Sequence, residues 1–429
     1  MIGIVADDVT GAGDIGIMYA KAGYAAHVYS FAGEDAEYPR ADEADVIVLD
    51  THSRFDAPKE AYRKVQAATS WLRNRGCKRY IKKTCSVFRG NIGAECDAML
   101  DALGETFAVV VLGFPKNGRT TVNGIHYVRG IKLEESEFRR DPVHPMTRSD
   151  LSGILRGQTG RPVAELHRDI VDRGPEAIRR AIAEKKAECA YLIVDVVDQR
   201  SLEAIAEAVE DEKVLCGSSA LSEEIALRMR RSGVPCRAEP PAVPAGDGGG
   251  LLIVAGSLMP QTAAQVDTMR SAGAPVLELD TRKLLDPGLR VSVLGELADI
   301  IVRHNRAGRH VVVHSANHPG QVEETKRLGS EQGLSNTDVS RLVSDSLAEI
   351  TAKVLEATGQ SRAIIAGGDT SAAVCRRLGV QGMRIMGEIE PGLPSCLTFG
   401  EKPLLLALKS GSFGKPDFFP KAIDHLTNL

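Results

Sequence analysis

Short apolar runs alternate with longer amphipathic stretches along most of the chain. The first apolar runs are IGIVA, AAHVYSF and DVIVLDT, and segments with helical spacing, such as DIGIMYAKAG and PKEAYRKVQAATSWLRNRG, stand between or after them. Apolar runs of strand length separated by helix-length segments are typical of a parallel sheet with crossover helices. The pattern therefore predicts an α/β fold.

One segment of different composition interrupts this alternation, GVPCRAEPPAVPAGDGGG at residues 233–250. It holds four prolines and five glycines, which is typical of a linker. A second alternating series follows, from LLIVAGS to PLLLALK. We therefore predict two α/β domains, at residues 1–240 and 250–429, each with a largely parallel sheet flanked by helices, and an active site in the interdomain cleft.

A polar segment in the first series, residues 130–155, breaks the pattern. It reads GIKLEESEFRRDPVHPMTRSDLSGIL and carries two prolines close together. We expect this segment to leave the sheet and to fold over a site.

Composition limits the classes of function. The 429 residues include 4% aromatics and carry a formal net charge of -4, which argues against nucleic-acid binding. The apolar runs are too short to span a bilayer, and two aspartates break the N-terminal run as no secretory signal would, so we expect a cytoplasmic protein. The eight cysteines form no CxxC pair, so neither a zinc site nor a disulfide framework is indicated.

Asp7 and Asp8 directly follow the first apolar run, in ADDVTGAGD. Open α/β sheets bind ligands at the carboxyl ends of their strands, where a carboxylate can accept a hydrogen bond or a proton from a substrate hydroxyl. Helix capping by Asp8 or Thr10 is the alternative. We predict that Asp7 and Asp8 are catalytic residues.

Polar side chains also follow the next strand ends, in DTHSR at residues 50–54 and in KKTCS at 82–86. Arginine suits bidentate binding of a carboxylate, whereas lysine acts as a compact point charge. Together these side chains predict a site for a small, anionic, polyhydroxylated molecule. The candidate substrate-binding residues are Asp8, Arg54, Lys83, Thr84, Cys85, Ser86, Arg89 and Asn91.

Three glycine-rich turns follow apolar strands in the second series: IVAGSLMPQT, IIAGGDTSAA and LALKSGSFG. Glycines let backbone N–H groups approach phosphate oxygens, and a helix N-terminus adds partial positive charge. Pro260 suits the first turn of a helix, and Thr370 or Ser371 suits a cap. These turns predict a nucleotide site, although no GxxxxGK[ST] motif of a P-loop protein is present.

Several of these motifs, in this order, resemble the four-carbon acid sugar kinase family over nearly the whole chain. The resemblance implies an N-terminal sugar-acid-binding domain and a C-terminal nucleotide-binding domain, which together transfer the γ-phosphate of ATP to the 4-hydroxyl of a tetronate. Phosphoryl transfer usually also needs Mg²⁺. The motifs are ADDVTGAGD, DTHSR, KKTCSVFRGNIGAE, GRTTVNGIHYV, DPVHPM, AGSLMPQTAAQ, GGDTS and KSGSFG.

The resemblance also implies roles for individual residues. Substrate contacts fall on Asp8, Arg54 and the turn 83–86, and Asp369 is a candidate metal ligand, although the metal site is not identified. We expect Arg54 and Lys83 to hold the substrate carboxylate while Asp8, with Asp7, orients the terminal hydroxyl and accepts its proton. The implied ATP-binding residues are Ser257, Gly367, Gly368, Asp369, Thr370 and Gly411.

The turn at Cys85 departs from the family pattern. The family often has aspartate in a K-x-D-S turn, where this chain has KTCS. The continuation VFRGNIGAE resembles the threonate and erythronate branches of the family more than the 3-oxo-tetronate branch. We therefore expect D-threonate as the acid, followed by D-erythronate, and a homodimer as the common form of soluble oligomer.

Two other functions remain open at this point. GAGDIG at residues 11–16 matches GxGxxG, so an NAD-dependent hydroxy-acid dehydrogenase is one alternative. Against it, two carboxylates before that turn would repel a pyrophosphate. The other alternative is a non-enzymatic sugar-acid sensor, in which the three glycine turns would have no role.

Overall fold

The computed structural model describes residues 1–141, 143–236, 241–244 and 248–429. Contacts within the chain divide it into two compact units, Met1–Glu239 and Pro240–Leu429. The predicted linker at 233–250 falls partly outside the described residues.

The first unit contains a sheet of eight parallel strands in the order β2-β3-β1-β4-β11-β5-β10-β9. Strand β1 is buried along its whole length, as expected for a central strand covered on both faces. The strands of this unit are β1 (Ile2–Ala6), β2 (Ala26–Ser30), β3 (Val46–Asp50), β4 (Arg79–Lys83), β5 (Ala108–Val111), β6 (Arg119–Val122), β7 (Ile125–Val128), β8 (Ile131–Lys132), β9 (Val163–Leu166), β10 (Tyr191–Val194) and β11 (Val214–Gly217).

Helices connect the parallel strands of the first unit and pack on its sheet. Helix α2, for example, buries Val65, Ala68 and Leu72 on one face. The helices are α1 (Val9–Ala20), α2 (Pro58–Asn74), α3 (Ile92–Leu103), α4 (Leu151–Arg156), α5 (Arg168–Val171), α6 (Pro175–Lys185), α7 (Gln199–Ala208) and α8 (Ala220–Arg231), with short 3₁₀ turns at Ala41–Glu43, Pro115–Asn117, Leu133–Glu135 and Glu137–Arg140.

A separate three-stranded antiparallel sheet, β6-β7-β8, follows β5 and was not predicted. Asn123 and Gly124 both have positive φ, and they form the two-residue turn between β6 and β7. This small sheet leads into the polar segment 130–155, which departs from the main sheet as predicted from its composition.

The strands of the second unit lie in the order β13-β14-β12-β15-β18-β17-β16. The first five strands in this order are parallel, and the last two are antiparallel to their neighbours. The strands are β12 (Leu252–Ala255), β13 (Val276–Leu279), β14 (Val311–Ser315), β15 (Arg362–Ala366), β16 (Gly382–Glu390), β17 (Leu393–Thr398) and β18 (Leu405–Lys409).

The antiparallel pair β16-β17 differs from the simple alternation that the sequence predicts. The two strands are separated by only Pro391 and Gly392, which is too short for a parallel crossover. The helices of this unit are α9 (Pro260–Ser271), α10 (Pro287–Arg306), α11 (Pro319–Glu331), α12 (Asn336–Thr358), α13 (Gly368–Arg377) and α14 (Phe418–Asn428), with a 3₁₀ turn at Thr281–Leu285.

The predicted fold class is confirmed, since both units are α/β with largely parallel sheets and connecting helices. Among the residues described here, no helix combines the length and apolar character needed to cross a membrane. Over the same ranges, no three His, Cys, Asp or Glu side chains are grouped so that they could hold a metal ion.

Candidate active site

Asp7 and Asp8 leave β1 at the point where the order of strands reverses. The chain first adds β2 and β3 on one side of β1 and then β4 on the other. Such a switch point is where open α/β sheets bind ligands. The carboxyl ends of β3 and β4 lie on either side of the aspartates, because their last residues, Asp50 and Lys83, both pair in register with Ala6.

Asp8 caps helix α1. Its Oδ1 accepts a hydrogen bond from the backbone N–H of Gly11 at 2.7 Å, and its Oδ2 accepts one from the Thr10 hydroxyl at 3.0 Å. The capping interpretation is therefore correct for Asp8. Capping is not the only role of this carboxylate, because Asp8 Oδ2 also accepts a hydrogen bond from a charged side chain.

That side chain is Arg54, which binds both aspartates. Its Nε and Nη2 donate to the two oxygens of Asp7 at 2.8 Å each, and its Nη1 donates to Asp8 Oδ2 at 2.5 Å. Burial raises the pKa of Asp7, but Arg54, assisted by Lys82, lowers it to about 2. Both oxygens of the ionised Asp7 therefore accept hydrogen bonds from Arg54. The guanidinium has five N–H groups, and these hydrogen bonds use three of them.

Lys83 completes this cluster from the end of β4. Its Nζ lies 3.3 Å from Asp14 Oδ2 and donates to the Thr84 backbone oxygen at 2.9 Å. Burial raises the pKa of Asp14, although Lys83 opposes this effect. A Cβ on Gly11 would come within 2.5 Å of Asp8 Oδ1 and 3.3 Å of Lys83 Nζ, so a glycine here allows the aspartate and the lysine to approach α1.

The position of this glycine argues against the dehydrogenase alternative. Helix α1 begins at Val9, so Gly11, Gly13 and Gly16 are all helical residues. In a dinucleotide-binding fingerprint the first glycines form the turn between strand and helix, where they approach the pyrophosphate. Here the residues between β1 and α1 are Asp7 and Asp8.

A second buried ion pair supports the same strand ends. Lys82 Nζ lies 2.9 Å from Glu95 Oε2, both side chains are fully buried, and Ser53 donates to Glu95 Oε1 at 2.5 Å. Burial raises the pKa of Glu95, while Lys82 lowers it in part. No role for Glu95 is predicted from the sequence, although the residue lies inside the motif KKTCSVFRGNIGAE.

The turn after β4 contacts the polar segment 130–155. Arg89 Nη1 pairs with Asp141, and Arg89 Nε lies 3.4 Å from Cys85 Sγ. Burial raises the pKa of the Cys85 thiol, but the positive charges of Arg89 and Arg54 outweigh burial. The pKa of Cys85 therefore lies below its usual value. His144 donates to the backbone oxygen of Arg54 at 2.9 Å. The segment therefore packs against the predicted substrate residues.

Three other predicted substrate residues are engaged within the protein. Asn91 Nδ2 donates to the backbone oxygens of Ser53 and Asp56, at 3.1 and 2.8 Å. The backbone oxygen of Ser86 lies 3.0 Å from His126 Nε2, and Thr84 is fully buried. These contacts hold the loops around Arg54 and Lys83 in place.

In the second unit the three glycine turns follow β12, β15 and β18, which are adjacent strands. A Cβ on Gly256 would come within 2.0 Å of Thr370 Oγ1, and a Cβ on Gly411 within 2.0 Å of Ser257 Oγ. Gly367 has a φ of +127°, which favours glycine. The turns pack against one another so closely that a side chain at Gly256 or Gly411 would force a neighbouring group to shift.

Two helices begin at these turns. Pro260 is the first residue of α9, as predicted, and Ser257 Oγ accepts a hydrogen bond from the backbone N–H of Met259 at 3.2 Å. Helix α13 begins at Gly368 with Gly367 as its N-cap, so the prediction that Thr370 or Ser371 caps it is wrong. Thr370 and Ser371 lie in the first turn of α13 instead, because the helix already begins at Gly368.

Comparison with known proteins assigns the two units to known domain families. Residues 2–225 match a family model described as a sugar-binding N-terminal domain, and residues 252–419 match one described as a nucleotide-binding C-terminal domain. These are the two classes of ligand that the charged cluster and the glycine turns predict. The fold and the sites thus define a two-domain α/β protein with one sugar-binding and one nucleotide-binding domain.

Curated relatives match over the full length of the chain. A 3-oxo-tetronate kinase of Pseudomonas fluorescens is 35% identical, with 99% of this chain and 97% of the relative covered. One of Haemophilus influenzae is 32% identical, with coverages of 98% and 99%. A crystal structure of a Salmonella typhimurium LT2 protein, 28% identical, covers 98% of both chains with a TM-score of 0.80. The chain therefore belongs to the four-carbon acid sugar kinase family.

Proposed function

We propose that the protein is an ATP-dependent kinase that phosphorylates the 4-hydroxyl of a four-carbon sugar acid, giving a 4-phosphotetronate and ADP. The observation that supports this most directly is the cluster of Asp8, Arg54 and Lys83 at the switch point of the first sheet. It combines a carboxylate that can bind a hydroxyl with cations that suit a carboxylate ligand.

In this proposal the two aspartates have different roles. Asp8 orients the terminal hydroxyl and accepts its proton as the oxygen attacks the γ-phosphorus. Asp7 acts as a positioning residue, because Arg54 occupies both of its oxygens and Asp7 thereby fixes the guanidinium. Lys83 and Arg54 hold the carboxylate at the other end of the acid.

ATP binds at the three glycine turns of the second unit. The residues that contact it are Ser257, Gly367, Gly368, Asp369, Thr370 and Gly411, and the N-terminus of α13 favours the negative charge of the phosphates. Mg²⁺ is commonly bound by one or two carboxylates together with substrate phosphates, and Asp369 in the first turn of α13 offers such a carboxylate. A bound Mg²⁺ ion would neutralise the charge on the transferred phosphoryl group.

The identity of the acid is narrowed by two observations. Curated relatives that match the whole chain are named 3-oxo-tetronate kinases, which favours a 3-oxo-tetronate. The VFRGNIGAE turn favours D-threonate, and then D-erythronate. These acids share the carboxylate and the terminal hydroxyl that the proposed site uses.

The test is an ADP-release assay with ATP and Mg²⁺ against 3-oxo-tetronate, D-threonate, D-erythronate and L-threonate, with water alone as the blank. ADP formed with one of these acids above the blank supports the kinase and identifies its substrate. A protein that binds ATP but releases no ADP with any of the four acids would overturn the proposal as stated.

A further inference from the structure

Lys409 ends β18 and is fully buried at the start of the third glycine turn, KSGSFG. Its Nζ is close to four oxygen atoms: Thr262 Oγ1 at 3.0 Å and the backbone oxygens of Ser410, Gly411 and Phe413 at 2.9, 3.2 and 3.1 Å. The residues after β18 are therefore wrapped around the ammonium group of the strand's last residue.

All four acceptors are uncharged. Burial lowers the pKa of Lys409 to about 7, and Glu390 offsets only part of this effect. The Glu390 carboxylate instead accepts hydrogen bonds from Lys421 Nζ and from the backbone of Lys415, at 2.8 and 2.9 Å. A lysine that is buried without a hydrogen-bonded carboxylate is unusual, since burial of a charge is costly unless it is compensated.

The same residue connects all three turns. Thr262, which accepts from Lys409, lies in α9 after the first turn, and its hydroxyl donates to the Gly411 backbone oxygen at 2.9 Å. The backbone oxygen of Lys409 accepts from the N–H of Gly367 in the second turn at 2.8 Å. Lys409 thus fixes the position of the third turn relative to the other two.

An ammonium group has three N–H donors, and the four oxygens around Lys409 are enough to occupy them. While these bonds hold, the group does not reach out of the turn to a phosphate in the way that the lysine of a P-loop does. Its contribution is to the shape of the backbone around Gly411, where a methyl group would already strike Ser257.

We propose that Lys409 is a positioning residue for nucleotide binding, which holds the turn 410–413 in the conformation that receives the phosphates of ATP. This inference rests on the proposed function, because it assumes that the glycine turns bind ATP. It adds a residue that contacts neither substrate and acts through the backbone of its own turn.

The test compares Lys409→Met with Lys353→Met. Methionine has a similar length and keeps the apolar contacts but removes every N–H donor, and Lys353 is a half-exposed lysine of α12 with one ion pair to Glu349. For Lys409→Met we expect the Kd of MgATP in titration calorimetry and the KM for ATP to rise at least tenfold. The KM for the acid should change less than twofold, and Lys353→Met should match the wild type.

A second pair of variants covers the case in which Lys409→Met fails to fold. Thr262→Val removes one acceptor of the ammonium and the donor to Gly411, and we expect it to raise the Kd of MgATP about threefold. Thr262→Ser keeps the hydroxyl and should restore the wild-type Kd. A purely structural role predicts instead a lower melting temperature with the Kd of MgATP unchanged in the folded fraction.

The outcomes separate the inference from the proposed function. A wild-type protein that binds no MgATP overturns both. A wild type that binds MgATP, together with folded Lys409→Met and Thr262→Val variants that bind it equally well, overturns the role of Lys409 alone.

Discussion

The first four strands of the two units lie in the same order, but different residues follow the first strand in each unit. The order is β2-β3-β1-β4 in the first unit and β13-β14-β12-β15 in the second, so each unit has its first strand at a switch point. After β1 the chain continues with two aspartates, whereas after β12 it continues with Gly256 and Ser257.

The first unit builds its site from charged side chains that neutralise one another. Among the described residues, three cations and five carboxylates are buried at or near the ends of β1, β3 and β4: Arg54, Lys82, Lys83, Asp7, Asp8, Asp14, Asp50 and Glu95. In the proposed ATP site of the second unit, glycine turns pack closely together, and helices α9 and α13 begin at two of them. Side-chain ion pairs suit a small acid with several hydroxyls, whereas backbone N–H groups suit phosphate oxygens.

The largest expected effect tests the charged site through Asp8→Asn. Asparagine is an equally good N-cap, so α1 should be retained, while the acceptor of the proton is lost. We expect kcat to fall about 10²–10⁴-fold, with little change in the KM for ATP, in steady-state kinetics. Asp35→Asn, at an exposed aspartate of the same unit, is the matched control. A near-normal kcat in Asp8→Asn would exclude Asp8 as the base.

The next effect tests the backbone site through Gly411→Ala. The added methyl would lie 2.0 Å from Ser257 Oγ and 2.9 Å from Ser257 Cβ, so Ser257 or the turn that holds it must shift. We expect the Kd of MgATP to rise at least tenfold, or about 1.4 kcal/mol, with the KM for the acid unchanged. Gly295→Ala is the control, because a Cβ there meets open space on α10. Loss of acid binding instead of ATP binding would show that the sites are assigned to the wrong units.

Arg54→Lys separates charge from geometry in the first site. Lysine keeps the positive charge but cannot bind Asp7 through two parallel hydrogen bonds while also reaching Asp8. We expect the KM for the acid to rise about tenfold, or about 1.4 kcal/mol, while the KM for ATP stays within twofold of wild type. If Arg54→Lys raised only the KM for ATP, the guanidinium would have no part in binding the acid.

The pH dependence of stability sharpens the comparison further. The pKa of Asp7 is lowered from 3.8 to about 2 in the folded protein, so its ionised form stabilises the fold above pH 3.8 and this contribution is lost as the pH falls through about 2. We expect Asp7→Asn to lower the free energy of unfolding by about 2 kcal/mol at pH 6. The difference should narrow below pH 4 in urea unfolding followed by fluorescence, and a constant difference would contradict the ion pair.

The smallest effect concerns the turn that departs from the family pattern. Cys85→Asp introduces a carboxylate in place of the thiol whose sulfur lies 3.4 Å from Arg89 Nε. We expect a shift of a few-fold in kcat/KM among the four-carbon acids, with Cys85→Ser close to wild type and the KM for ATP unchanged in both. Equal ratios among the acids in all three proteins would show that this position does not influence selectivity.

Strand ends and their polar residues could be predicted from the sequence because both depend on local pattern. A buried run followed by Asp7 and Asp8, or by Lys83, marks the end of a strand wherever the rest of the chain goes. The pairing of Arg54 with Asp7 could not be predicted, since it joins residues 47 positions apart through the geometry of two loops. The sequence predicts that Arg54 holds the substrate carboxylate, and three of its N–H groups also bind Asp7 and Asp8.

Residues that act through the backbone were also invisible in the sequence. Lys409 follows an apolar run as any surface lysine does, and nothing in KSGSFG shows that its side chain turns inward. The hairpin β16-β17 was missed for a related reason, because apolar runs do not show whether the next strand is parallel. Tertiary packing decides whether the Lys409 side chain turns inward and whether two consecutive strands run parallel.

Gly11 shows what a motif search can and cannot report. The pattern GxGxxG shows only that residues at fixed intervals have no side chain. It does not show which neighbouring group in the structure leaves no room for one. In a dinucleotide fold that neighbour is a cofactor, whereas here it is the protein's own Asp8 and Lys83, at 2.5 and 3.3 Å from where a methyl group would stand. Searches for cofactor motifs in proteins of this kind would gain specificity by asking whether the residues just before the first glycine are acidic, because such residues turn the same letters into the signature of a different chemistry.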